Sequence, residues 1–234
     1  MPSWIEADAY LFDIDGTLLN SRDGVHYNAF HQALEHVYGC RARIDHVPVH
    51  GNTDVGILRA VAGGAGVPDP MFEAKLPQAL ERMQTWVRSN AADLRPQLCP
   101  SVVELLSGLK RRGKLLGIVS GNLEPIGWMK LQAAGIRDFF SFGSFSGARE
   151  HRVEIFREGI ARACQLLGVG ARVCFVGDTP SDIAAARQLG MPMLAVATGI
   201  YPQMELAGLH PDLCVSCCTD LLAFLDGADA PAAK

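Results

Sequence analysis

From residue 96 onward the chain alternates short apolar runs with longer stretches whose apolar positions recur at three- and four-residue spacing. Side chains on one face recur every second residue in a strand and about every 3.6 in a helix, so the short runs predict strands and the long ones helices. Val102, Leu105, Leu106 and Leu109 share one helical face, and that helix should stop near Arg111-Arg112-Gly113. Further helices are predicted from about Pro125 to Ala134, Glu154 to Leu167, Pro180 to Leu189 and Asp220 to Leu225; Gly135, Gly168 and Gly190 close the first three. The strands are Leu115 to Val119, a short one around Phe139 to Phe142, Val173 to Val176, Met193 to Ala197 and Leu213 to Val215. The run Ala9-Tyr10-Leu11-Phe12 adds one more near the start. Such alternation implies a parallel sheet with helices on both faces.

Residues 18–93 break this rhythm. Helical patterns run from His26 to Tyr38, Thr53 to Ala62 and Met71 to Asn90, with no convincing strand. The segment reads as an inserted helical cap, so the core domain is expected to be residues 1–17 together with 94–234. Within the cap, Ala62 to Pro68 reads as a loop, and Pro77 should start or kink a helix because its ring nitrogen donates no hydrogen bond. Phe72, Leu76, Leu80, Met83, Trp86 and Val87 lie near helical spacing and are expected to pack the cap. His26 and the run His50 to Asp54 stand at helix starts where they could face the pocket, but they read first as helix caps and exposed polar groups. The tail from Asp226 to Lys234 lacks apolar periodicity and is expected to fray.

Composition narrows the function classes. At 234 residues and 49% apolar, the chain can bury a full core. A net charge of −4 with both signs interspersed leaves no basic stripe for nucleic acid. No apolar run reaches the roughly 18 residues of a membrane span, and Met1 to Glu6 does not read as a secretory leader, so no membrane partner is expected and the expected location is cytoplasmic. Seven cysteines, an odd and scattered number, argue for reduced thiols. Cys214, Cys217 and Cys218 include a Cys-x-x-Cys, but no second pair completes a zinc site, so packing is the expected role; Cys214 fits a buried strand.

Candidate chemistry gathers at predicted strand ends. Asp13 and Asp15, in Asp13-Ile14-Asp15-Gly16-Thr17, occupy alternate positions and would face one pocket, where carboxylate oxygens can hold a divalent cation. Gly177-Asp178-Thr179-Pro180-Ser181-Asp182 follows another apolar strand and can supply further negative charge. Between them, Ser120-Gly121-Asn122 offers a hydroxyl, an amide and backbone N–H groups suited to phosphate.

In order and placement these segments resemble the haloacid dehalogenase-like hydrolase superfamily. Its phosphatase branch carries an Asp-x-Asp-Gly-Thr start, a Ser or Thr after a second strand, a Lys or Arg, and a Gly-Asp-x-x-x-Asp. The resemblance spans most of the chain and is nearest to phosphoglycolate phosphatase-like members. It implies an α/β fold, a Rossmann-like parallel sheet flanked by helices with an inserted α-helical cap. It also implies Mg2+ as cofactor and a small phosphorylated metabolite as substrate, either phosphoglycolate-like or a sugar phosphate.

By the same resemblance, Asp13 is the nucleophile that forms an aspartyl-phosphate, and Asp15 protonates the leaving oxygen and then activates water. Crowding by neighbouring carboxylates is expected to raise the Asp15 pKa. Thr17 is expected in the phosphate loop, bonding the nucleophile turn. Ser120 would donate its hydroxyl to the phosphoryl group, joined by N–H groups of Gly121 and Asn122. Asp178 would hold the metal with Asp13 and the Asp15 backbone carbonyl. Asp182 is expected both to cap its helix and to orient the phosphate-binding cation.

The chain departs from the family where a Lys-Pro is usual, reading Ala148-Arg149-Glu150-His151-Arg152 instead. Arg152 is the expected cation and Arg149 its rival. Asp15 argues against the dehalogenase and phosphonate-cleaving branches. A phosphosugar mutase of the beta-phosphoglucomutase type uses the same residues and is the alternative enzyme. A catalytically silent phosphate-binding protein is the alternative outside catalysis, and the intact aspartate set disfavours it.

Overall fold

A computed structural model describes residues 4–229. In chain order the elements are β1 (Ala9–Phe12), β2 (Leu19–Ser21), α1 (Val25–Tyr38), α2 (Asp54–Gly64), α3 (Asp69–Ser89), β3 (Pro96–Leu98), α4 (Val102–Arg111) and β4 (Leu115–Ser120). They continue with α5 (Glu124–Ala133), β5 (Phe142–Phe145), α6 (Arg152–Leu167), β6 (Val173–Gly177), α7 (Pro180–Gln188), β7 (Met193–Val196), α8 (Gln203–Gly208), β8 (Leu213–Val215) and α9 (Cys218–Asp229).

Six strands form one parallel sheet in the order β5-β4-β1-β6-β7-β8, as the alternation of patterns predicts. Successive side chains of each strand feed opposite layers. Tyr10, Phe12, Leu116, Ile118 and Val176 pack with α4, α5 and α9, whereas Ala9, Leu11, Val119 and Phe175 pack with α6 and α7. Both faces are therefore apolar and covered, which is why these strands read as continuous apolar runs. The central strand is β1, with β4 and β5 following on one side; the chain then crosses back through α6 to place β6 on the other side of β1. Ligands of open parallel sheets bind where strand order reverses in this way, outside the carboxyl ends of the strands.

Helices α1 to α3 enclose a separate apolar cluster that includes Phe30, Leu34, Leu58, Phe72 and Met83, with Leu123 and Ile126 of α5 joining from below. Tyr38 stacks on Phe72 with ring centroids 5.3 Å apart. The predicted packing set on α3 is buried or half-buried here.

Several boundaries differ from the sequence reading. A strand does exist between residues 18 and 93: β2 pairs antiparallel with β3, and the two form the double crossing between sheet and cap. The strand expected around Phe139 to Phe142 lies at Phe142–Phe145, while Arg137–Phe139 forms a 3-10 turn. The aromatic run supplied core volume through Phe140 without fixing a register. Helix α2 continues through Gly63 and Gly64, and α3 runs through Pro77 because its start is set earlier, at Asp69-Pro70. Cys214 is half-buried rather than buried. Helix α9 reaches Asp229, past the expected onset of fraying at Asp226; the rest of that tail, 230–234, lies outside the described residues.

Candidate active site

The ends of β1, β4 and β6 deliver Asp13, Ser120 and Asp178 to one place. Beyond β1 the chain turns sharply, with Gly16 at φ +88° and the amides of Leu18 and Leu19 both donating to the Ile14 carbonyl. A side chain at Gly16 would set its Cβ 2.2 Å from Asp178 Oδ2, and one at Gly199 would come within 1.8 Å of the same oxygen. Two glycines thus make the room that Asp178 occupies.

Among the described residues, Asp13, Asp178 and Asp182 form a buried group whose carboxylate oxygens lie within 4.8 Å of one another. One cation answers them. Arg152, at the start of α6, places Nη2 2.8 Å from Asp13 and Nε 2.5 Å from Asp182. Arg149 is not the partner: its side chain is 42% exposed and pairs with Glu158 at 2.8 Å. Asp182 is held three ways, since its carboxylate also accepts from the backbone N–H and hydroxyl of Thr179 at 3.0 and 2.7 Å. It caps α7 and orients Arg152 at once, so both expected roles coexist.

Three carboxylates against one guanidinium leave a surplus of negative charge. Burial, followed by Asp182 and Asp15, pushes Asp13 up to about 6 although Arg152 opposes the rise. Burial and Asp13 likewise raise Asp178 well above the usual carboxylate range. Burial works against the Arg152 charge, yet Asp13 and Asp182 hold the guanidinium more firmly protonated than usual. Hard oxygen donors under mutual repulsion suit a hard divalent cation.

Thr17 is fully buried and donates its hydroxyl to Asp178 Oδ1 at 2.8 Å. It anchors the β6 aspartate to the β1 turn and does not line the cavity, contrary to its expected place among the phosphate-binding groups.

The Asp15 carboxylate turns away from the trio toward α5. It accepts from Lys130 Nζ at 2.9 and 2.7 Å and from Asn122 Nδ2 at 2.8 Å. Crowding was expected to raise its pKa; burial does push that way, but the Lys130 ammonium outweighs it and the net direction is down. Lys130 was not foreseen in the sequence. Ser120 Oγ accepts from Asn122 Nδ2 at 2.9 Å, which leaves its own hydrogen available to a ligand. The Asn122 amide is committed on both sides, to Ser120 and Asp15 through nitrogen and to Lys130 through oxygen, and its backbone N–H makes a long bond to Ser120 Oγ at 3.4 Å that a ligand oxygen could replace.

The helical insertion rests directly on the turn at residues 121–123. Asp54 donates its backbone N–H to the Gly121 carbonyl at 2.8 Å, and its carboxylate accepts from Leu123 N–H at 2.7 Å and meets His26 Nε2 at 3.2 Å. A Cβ on Gly121 would lie 2.2 Å from the Asn52 carbonyl oxygen, so the approach requires glycine. Thr53 and Arg59 add hydrogen bonds to the Glu150 carbonyl and carboxylate at 3.1 and 2.6 Å. Between cap and core lies a cavity of about 270 Å³, floored by Asp13, Asp15, Ser120 and Arg152 and walled by Phe30, Ile44, Val49 and Ile57. His26, His50, Asn52 and Asp54 also line it; their polar pattern read as capping conceals a pocket-facing role.

The model of the haloacid dehalogenase-like hydrolase family matches residues 7–190. The chain belongs to this family, and its fold is a Rossmann-like parallel sheet flanked by helices with a helical insertion. It is 31% identical over 221 residues to a phosphoglycolate phosphatase of Synechococcus elongatus, covering 92% of this chain and 95% of that one. It is 28% identical over 238 residues to an N-acetylmuramic acid 6-phosphate phosphatase of Pseudomonas aeruginosa, covering 94% and 95%. Among solved structures, CbbY from Rhodobacter sphaeroides in complex with phosphate shares the fold with a TM-score of 0.67 at 20% identity over 94% of this chain and 99% of that one. A haloacid dehalogenase-like hydrolase from Streptococcus pneumoniae does so with a TM-score of 0.61 at 22% identity, over 96% and 99%. Among the described residues no helix is long and apolar enough to cross a membrane.

Proposed function

We propose that this chain is a phosphatase that hydrolyses a small phosphomonoester with Mg2+, through an aspartyl-phosphate on Asp13, beneath a cap formed by residues 18–93 over a core of 1–17 and 94–234. The observation that carries this reading is the buried convergence of Asp13, Asp178 and Asp182 at the ends of β1 and β6, with Arg152 bridging Asp13 and Asp182. Mg2+, when bound by Asp13, Asp178 and the Asp15 backbone carbonyl, would neutralise phosphoryl oxygens that otherwise repel the nucleophile. Arg152 and the Ser120 hydroxyl would hold the remaining oxygens with the Gly121 and Asn122 N–H groups. Asp13 attacks phosphorus in line and the ester oxygen leaves, taking a proton from Asp15 in the fraction of molecules whose Asp15 carries one against the pull of Lys130. Asp15, now the base, removes a proton from the water that attacks phosphorus and frees Asp13. The closed cap excludes other water while this happens.

The cavity also bears on the alcohol half of the substrate. The Lys and Arg side chains lining it are Lys130 and Arg152, and both are already paired with Asp15 and Asp13. Among the described residues no further Lys or Arg lines it, and only the imidazoles of His26 and His50 are left to meet a carboxylate; an uncharged polyol or sugar phosphate needs neither of them charged and is the better fit. Free reduced cysteines at all seven positions accord with a cytoplasmic site of action.

The test is phosphate release from p-nitrophenyl phosphate and from a panel of metabolite phosphates with Mg2+. Release that Asp13→Asn abolishes is expected, as is a higher kcat/KM for sugar phosphates than for phosphoglycolate. An inactive wild type, or unchanged release in Asp13→Asn, would remove the hydrolytic reading.

A further inference from the structure

Among the described residues, Lys130 is the one buried Lys or Arg lining the cavity to which the mechanism above gives no task. Its side chain is 3% exposed, it sits in the second turn of α5, and it directs three hydrogen bonds at Asp15 Oδ1, Asp15 Oδ2 and Asn122 Oδ1. An ammonium has three protons to donate, so this environment uses all of them. Burying such a group costs several kcal/mol of lost hydration unless it is well paired. A merely structural ion pair would place the partner inside as well. Here the partner carboxylate is 40% exposed and faces the cavity. Other carboxylates lining the cavity are held differently: Asp54 accepts the Leu123 amide, and Asp23 accepts the amides of Val25 and Arg95. Asp13 meets the buried Arg152; among the described carboxylates lining the cavity, Asp15 alone is held by a buried side-chain cation together with a side-chain amide from the same segment.

The arrangement has a second consequence. Asn122 links Lys130 and Asp15 to Ser120 Oγ, so the group assigned to the leaving oxygen and the hydroxyl assigned to the phosphoryl group are fixed to one rigid element, the start of α5. The geometry points to Lys130 as a positioning residue for Asp15: its two-pronged grip sets the direction from which that carboxylate reaches the ester oxygen, and Asn122 keeps this direction in register with the phosphate. Lys130 transfers no proton and forms no bond to substrate. This assignment rests on the hydrolytic reading of Asp13 and Asp15.

Misdirecting a catalytic group by about 1 Å costs on the order of 10²-fold in rate. The cost falls where the leaving oxygen needs a proton. An alkyl phosphate needs one; p-nitrophenyl phosphate, whose leaving group is a stable anion, hardly does. The experiment therefore compares kcat/KM of wild type, Lys130→Met and Lys130→Arg on p-nitrophenyl phosphate and on the best alkyl or sugar phosphate of the panel, with thermal unfolding alongside.

For Lys130→Met the expected loss is about 10²-fold or more on the alkyl substrate and under about tenfold on the aryl one, with KM within about threefold on both. Lys130→Arg should recover part of the alkyl activity. Adding Lys130→Met to Asp15→Asn should cost little beyond Asp15→Asn alone, because both act through one carboxylate. Equal losses on the two substrates, or losses that multiply with Asp15→Asn, would overturn the assignment and leave Lys130 a core ion pair. If Lys130→Met does not fold, Lys130→Arg keeps the buried charge and carries the same comparison, with unequal losses supporting and equal losses overturning. A wild type inactive on every substrate would refute the hydrolytic reading itself and this assignment with it, a result distinct from equal losses in an active enzyme.

Discussion

Replacing the nucleophile should make the metal-free protein more stable while abolishing turnover. Asp13 titrates at an ordinary 3.8 in an unfolded chain and is pushed up to about 6 in the fold. Below pH ~4 both states carry the proton and the site imposes nothing. Between pH ~4 and ~6 the folded state binds the proton more tightly than the unfolded one, so stability falls as pH rises, and above ~6 the whole penalty is present. A rise of about two pH units at ~1.36 kcal/mol each corresponds to about 3 kcal/mol. Asp13→Asn keeps the shape and never ionises, so it should escape this penalty even though Arg152 gives up one of its two anionic partners. For a chain of this size 1 kcal/mol moves the melting temperature by ~2–4 °C, so Asp13→Asn should melt roughly 6–12 °C above wild type in EDTA at pH 7.5. The gap should shrink as pH is lowered toward 4, and Mg2+ should narrow it by stabilising wild type alone. Differential scanning calorimetry over pH 4 to 8, with and without Mg2+, measures all of this. If Asp13→Asn melts at or below wild type in EDTA at pH 7.5, the argument that unrelieved carboxylate repulsion shapes this site is wrong.

Arg152→Ala should inactivate the enzyme and cost roughly 3–5 kcal/mol by stranding Asp13 and Asp182, whereas Arg149→Ala should change stability by under ~1 kcal/mol and leave activity near wild type. Urea unfolding and phosphate release separate the two, and equal effects would contradict the assignment. Gly199→Ala puts a Cβ 1.8 Å from Asp178 Oδ2 and should displace that carboxylate. The expected result is at least a tenfold loss of kcat and about 1–3 kcal/mol of stability; a silent substitution would show that Asp178 does not need its observed position.

Asp13, Asp178 and Ser120 could be found in the sequence because each closes an apolar strand, and strand ends in a parallel sheet converge by topology. Arg152 was found from its order along the chain and from the Arg152-Val153-Glu154 spacing that some relatives resemble, not from any local signal of burial. Lys130 was not. In a helix whose face mixes Trp128, Met129 and Gln132, a lysine reads as solvent-facing, and the carboxylate that buries it is 115 residues away. The strand Leu19–Ser21 escaped for a similar reason: three residues of mixed polarity carry no periodicity, and only pairing with Pro96–Leu98 makes them a strand. The pocket-facing residues of the cap were equally hidden, since His26 and Asp54 at helix starts look like caps whether or not a cavity lies beyond them.

Because Asp54 ties itself to the backbone of both Gly121 and Leu123, the seat of the helical segment and the shape of the turn beneath it are one structure. A guest whose bulk exceeds the roughly 270 Å³ between them can enter only by breaking those two bonds, and with them the loop that bears Gly121 and Asn122. Size at one end of the cavity is thereby felt at the other.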